Sequence, residues 1–144
     1  MEDMPTCRLD VPARKVMIEK LSRAKRIINP TVIVDLCTWK INDEQIYSII
    51  WIQGRVTNVH ESGSGFFLDD GTSVAEVDCS NLPAGCPKPE LDIYMMVVGE
   101  LLDIQPHPLV KAIKTQDLSD QSQAQAIWPL EVQDLEKFLT SQQQ

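Results

Sequence analysis

The sequence lacks the short patterns that metal binding and catalysis usually require. Its four cysteines, Cys7, Cys37, Cys79 and Cys86, include no C-x-x-C pair, and its two histidines, His60 and His107, stand far apart in the chain. That spacing argues against a zinc site, so the thiols are expected to be reduced and mostly buried in an intracellular protein. No glycine-rich phosphate loop, no G-x-S-x-G and no H-E-x-x-H occurs. A non-enzyme without metal or cofactor is therefore expected. The N-terminus has no apolar signal-peptide core, no apolar run approaches bilayer length, and the sequon at Asn29 is blocked by Pro30. Neither secretion nor membrane insertion is expected.

Basic charge is scarce as well, and unevenly placed. Thirteen Lys and Arg stand against 21 Asp and Glu, a net charge of −8. Residues 1–40 carry +3 and residues 41–144 carry −11. Nucleic-acid affinity comes largely from basic side chains that release counterions, so a body of this sign is not built to hold DNA alone.

What remains is a pattern of strands between two helices, on a chain of 144 residues that fits one domain. Residues 1–13, with Pro5 and Pro12, suggest a flexible leader. Residues 14–40 are expected to hold an N-terminal helix over 14–28, from the spacing of Val16, Met17, Leu21, Ala24 and Ile28, and then a lead-in strand at Trp39 to Ile41. Residues 41–118 suggest five strands. The first, Tyr47 to Val59, is long, apolar on both faces in its first half, and carries a mid-strand Gly54 that signals a bend. Phe66 to Asp69 and Thr72 to Asp78 flank Asp70-Gly71, a hairpin signal; Asp69-Asp70 is turn chemistry on this view, not an acid–base pair. Ile93 to Leu102 and Leu109 to Leu118 complete the set. A long kinked first strand, a second–third hairpin and a connector before the fourth strand give a mainly β, five-stranded OB-fold, a Greek-key barrel with a short N-terminal and an amphipathic C-terminal helix. Residues 119–144 supply a linker, or the start of an earlier helix, at 121–126, then Trp128 with Pro129 at a first helical position, and a frayed tail.

Two functions compete for such a fold. Free-standing single-stranded DNA binding needs stacking aromatics and a basic groove on the second and third strands. Those strands offer Phe67 outward and no Lys or Arg; Arg55, Lys111 and Lys114 are the candidates elsewhere. Protein–protein assembly needs an anchor surface. Val132, Leu135, Phe138 and Leu139 recur at steps of three and four, with Trp128 and Leu130 ahead of them. That stripe either packs on its own barrel or seams to a partner. His60 and His107 adjoin turns and are expected to be exposed.

The chain resembles the family of second subunits of the RecQ-mediated genome instability complex. The likeness runs from Trp39 to Leu135, with a fainter echo at Lys15 to Leu21. It is densest at Trp51-Ile52-Gln53-Gly54-Arg55-Val56, at Met95-Met96-Val97-Val98-Gly99, and at Ala112 to Asp120 followed by Trp128 and Leu130-Glu131-Val132-Gln133-Asp134-Leu135. A more distant likeness is to the middle subunit of replication protein A. The resemblance implies a nuclear OB-fold with little DNA affinity of its own, paired with an OB-fold of the first subunit. That pair would bind topoisomerase III alpha and a Bloom-type RecQ helicase in double Holliday junction dissolution, and in vertebrates a Fanconi-anaemia-type helicase docks on it. Trp128 matches the tryptophan heading the partner-facing helix, and Lys114 matches a basic residue used around partner contacts. The chain departs from the family at the loop 81–89, at the turn around Gly63 and Gly65, and at Pro129; the first bears on the Fanconi-type contact.

Overall fold

The computed structural model describes residues 13–27, 38–41, 45–47, 49–83, 85–86 and 88–142. The expected leader up to residue 12, the last residue of the expected N-terminal helix, the blocked sequon at Asn29, Cys7, Cys37 and the last two residues lie outside that set. The elements in chain order are β1 (Arg14–Lys15), α1 (Ile18–Leu21), β2 (Lys25–Ile27), β3 (Thr38–Ile41), β4 (Gln45–Tyr47), β5 (Ile49–Val59), β6 (Gly65–Asp69), β7 (Val74–Asp78), β8 (Tyr94–Asp103), β9 (Leu109–Asp117) and α2 (Ala124–Gln142).

Five strands close a barrel in the order β5-β6-β7-β9-β8, with β8 returning to pair with β5. All contacts are antiparallel except β7–β9, which is parallel with Glu76 opposite Leu109. That connection is the Greek-key step. β5 serves both halves of the barrel: Ile49 to Arg55 pair with β8, and Arg55 to Val59 pair with β6. The change of partner falls beside Gly54, where a Cβ would lie 2.6 Å from the Asp69 carbonyl oxygen, and a bulge follows between Val56 and Asn58. Only glycine lets the two strands approach so closely at the bend.

One parity of β5, Ile50, Ile52 and Val56, points into the barrel core with Phe66, Leu68, Val77, Met95, Val97 and Val110. The other parity starts a second apolar cluster outside the barrel, where Ile49 and Trp51 join Tyr94, Met96, Val98 and Leu118. The strand is apolar on both faces because each face is covered, the inner by the barrel and the outer in part by α2.

The expected helix over 14–28 is corrected. Among the described residues of that span only Ile18–Leu21 is helical; Arg14 and Lys15 pair in parallel with Ile50 and Trp51, and Lys25–Ile27 pair with Thr38–Lys40. Sheet edges offered this segment hydrogen bonds that outweighed a weak helical preference. Val16, Ile18, Leu21 and Ala24 still face inward, where with Trp39 they plug one end of the barrel. Trp39 Nε1 donates to the Leu101 carbonyl at 2.7 Å. The β6–β7 turn holds α1 in place. Asp70 Oδ2 accepts from the Ile18 amide at 2.7 Å, while its Oδ1 accepts from the Thr72 amide at 2.8 Å. Asp69 Oδ1 accepts from the Gly71 amide at 2.8 Å. Both carboxylates are turn and cap chemistry.

The start of α2 is corrected too. It begins at Ala124, so Pro129 lies inside the helix and leaves the Gln125 carbonyl without its usual amide. The stretch 121–126 holds the start of this helix, its entry set by Gln121 and Ala124 amides donating to the Leu118 and Gln121 carbonyls.

Candidate partner-binding surface

α2 presents two apolar faces, and among the described residues only one is covered. On the inner face Trp128 and Val132 are each 1 % exposed. The Trp128 ring stacks on Trp51, 6.3 Å between centroids at an interplanar angle of 21°. Lys15 Nζ lies 4.8 Å from the Trp51 centroid and pairs with Glu131 at 3.0 Å, while Lys20 pairs with Glu136 at 2.6 Å. These ion pairs are partly solvated, so each contributes at most about 1 kcal/mol, and the tryptophan stack dominates the seating of the helix. Neither indole N–H finds an acceptor among the described residues, so the stack is held by apolar area and ring contact.

Trp128 and Val132, expected on the partner side, therefore face their own barrel, and Leu135 and Leu139 are half-buried. Leu130 at 61 % exposure and Phe138 at 58 % stay open to solvent, joined by Ile127 at 40 %. Sequence reasoning missed Ile127, although its spacing of three from Leu130 was available. From the basic N-terminal segment, Lys15 and Lys20 clamp α2.

The remaining candidates lie apart from this ridge. Lys114 is exposed on β9 opposite Val98, and Lys111 sits in register with Asp78 and Glu100. Arg55 is exposed but engaged: one nitrogen donates to the Asp92 carbonyl at 2.7 Å and the other to Gln125 Oε1 at 2.6 Å. It ties the β7–β8 connector to α2.

Phe66 is fully buried, and Phe67 is half-buried on the outer face of β6. Phe67 is flanked edge-on by His60 and His107, with centroids 5.7 and 5.3 Å away. Both imidazoles turn to Glu76: His107 Nε2 lies 2.9 Å from Oε1 and His60 Nε2 3.4 Å from Oε2. The expectation of exposed histidines is corrected, because the loops on either side of the β6–β7 face converge on one carboxylate. The face that would stack DNA bases thus carries a flanked phenyl ring and a carboxylate. Cys79 and Cys86 are free and half-buried. Burial, then the Asp78 carboxylate, push the Cys79 thiol up to about 11, a poor setting for a nucleophile.

A closed five-strand Greek-key barrel, plugged at one end and backed by a C-terminal helix, defines an OB-fold protein. Solved structures agree. A chain of a replication protein A heterotrimer bound to single-stranded DNA superposes with a TM-score of 0.68 at 15 % identity, covering 89 % of this chain and 98 % of that one. The telomere capping protein Ten1 of S. pombe gives 0.59 at 13 % identity, over 88 % and 99 % of the two chains. Likeness at that identity speaks for the fold alone.

The sequence goes further. Residues 12–136 match the family model of RecQ-mediated genome instability protein 2, and the chain belongs to that family. The proteins of that name from Gallus gallus and Bos taurus are 34 % identical over 92 residues and 33 % identical over 94. The matches cover 62 % and 64 % of this chain, and 67 % and 58 % of the relatives' own lengths.

Proposed function

We propose that this chain is the non-catalytic second subunit of a nuclear heterodimer. The outer face of α2 pairs with the OB-fold first subunit of the RecQ-mediated genome instability complex. The pair steadies a Bloom-type RecQ helicase with topoisomerase III alpha in double Holliday junction dissolution. One observation carries the reading: Leu130 and Phe138 remain more than half exposed on a helix whose opposite face is already seated. Large exposed apolar side chains at helical spacing mark a surface that a partner covers. Lys114, exposed on β9 apart from this ridge, is assigned to partner contacts on the strength of the resemblance alone. The outer face of β6 and β7 does not favour the alternative, a free-standing single-stranded DNA binder. It carries Asp69, Glu76 and Asp78 and no basic side chain.

The test is titration calorimetry with the purified first subunit. Leu130→Ala with Phe138→Ala should weaken pairing by about 2 kcal/mol or more. The urea midpoint should move by no more than about 0.5 kcal/mol equivalent, because both side chains face solvent in the free chain. Absence of any complex with the unchanged chain would refute the proposal. A salt-dependent shift of a labelled oligonucleotide by this chain alone would favour the DNA-binding alternative.

A further inference from the structure

The exposed ridge of α2 is not uniformly apolar. Residues 127, 130, 134 and 138 follow at steps of three and four, which lines them up along one face of the helix. The third of them is Asp134, set among Ile127, Leu130 and Phe138. Asp134 is exposed, and among the described residues no cation or hydrogen-bond donor meets its carboxylate. The acidic residues next to it are engaged differently, Glu131 with Lys15 and Glu136 with Lys20. A polar residue within a helical seam weakens the seam and in return selects partner and register.

We propose that Asp134 is the specificity-determining residue of this ridge. It admits a partner helix that carries a Lys or Arg opposite it and rejects a second copy of this chain. The inference rests on the pairing role proposed above and names the chemistry of the partner's surface.

Two of the ways a second copy could pair are opposed at this residue. If two copies met with their helices parallel, Asp134 would face Asp134 of the second copy. If they met antiparallel about the middle of the ridge, Asp134 would lie against Glu131 of the second copy, whose charge its own Lys15 partly meets. The first arrangement places like charges at the centre of an apolar seam, where water is excluded and repulsion is least screened; the second sets them nearer its rim. A basic residue at that point turns the same carboxylate into a charge-assisted contact. The charge of −11 on residues 41–144 acts in the same sense at long range, drawing in a basic surface and repelling another copy. Leu130 and Phe138 supply the area; Asp134 decides who may use it.

The experiment uses the full chain and two variants, Asp134→Lys and Asp134→Leu, with circular dichroism to show that the exposed substitution leaves the fold intact. Calorimetry against the purified first subunit should show Asp134→Lys binding weaker by about tenfold or more. Sedimentation velocity should show the unchanged chain monomeric and Asp134→Leu forming a concentration-dependent dimer. Unchanged affinity of Asp134→Lys, beside lost affinity of the Leu130→Ala, Phe138→Ala variant, overturns the inference and leaves the pairing standing. An Asp134→Leu chain that stays monomeric overturns the exclusion of a second copy. No affinity in the unchanged chain overturns pairing and inference together.

Discussion

Truncating Trp128 to alanine separates the two faces of α2. The side chain is 1 % exposed and stacks on Trp51, so Trp128→Ala opens an indole-sized void between helix and barrel. Large-to-small changes of that kind cost about 3–5 kcal/mol. The lost indole N–H had no acceptor, and removing a buried unsatisfied donor relieves about 1 kcal/mol. The net expectation is a loss of about 2–4 kcal/mol, from a total of about 5–15 kcal/mol for a domain of this kind. The barrel should survive, because Trp128 lies outside its core cluster. Urea denaturation followed by circular dichroism and tryptophan emission is the assay. The midpoint should fall, and the native emission should shift red as Trp51 loses its cover. Trp128→Phe keeps a ring on Trp51 and should cost about 1 kcal/mol or less. A Trp128→Ala variant within about 0.5 kcal/mol of the parent, with unshifted emission, would refute the seating of α2 on β5.

Two further outcomes follow from the same packing. Lys15→Gln with Lys20→Gln removes both clamps on α2 and should cost about 0.5–1 kcal/mol per pair at low salt, less at 1 M salt; a salt-independent effect would mean the lysines act through packing. Alkaline pH should destabilise the fold. Burial is the first cause of both raised pKa values, Cys79 from 9.0 to about 11 and Tyr94 from 10.0 to about 12. A native state that holds a proton more tightly is fully stabilised by it below the unfolded value and loses that stabilisation as pH rises through the folded one. The urea midpoint should therefore fall between pH 9 and 11, and Cys79→Ala should flatten part of the fall; an identical fall in the variant would argue against a proton held at that thiol.

The barrel was legible because its signals are local and redundant. Asp70-Gly71 marks a turn by itself, Gly54 marks a bend by itself, and the β-branched runs of β5 and β8 leave little room for helix. The N-terminal segment was misread for the opposite reason. Val16, Leu21 and Ala24 do face inward, as a helical stripe would, but they do so from the residue after a short strand, a single helical turn and a loop. What decides their backbone is the open edges of β5 and β3, two partners many residues away. The same limit applies to His60 and His107, whose meeting at Glu76 depends on two loops converging on β7.

The partner surface shows where pattern reasoning stops. A stripe at steps of three and four says that one face of α2 is buried, and Trp128, Val132, Leu135 and Leu139 form such a stripe on the barrel side. It does not say what buries it. The key to that question lay in β5, where Trp51 sits on the parity opposite to the barrel core. An aromatic on the outer side of a barrel strand needs a cover, and Trp128 is that cover. Once the inner stripe is assigned to the chain's own barrel, the large apolar residues of the helix left exposed are Ile127, Leu130 and Phe138. The surface available to a partner is thus what remains of the helix after its own fold is satisfied, and that remainder has an aspartate in its midst.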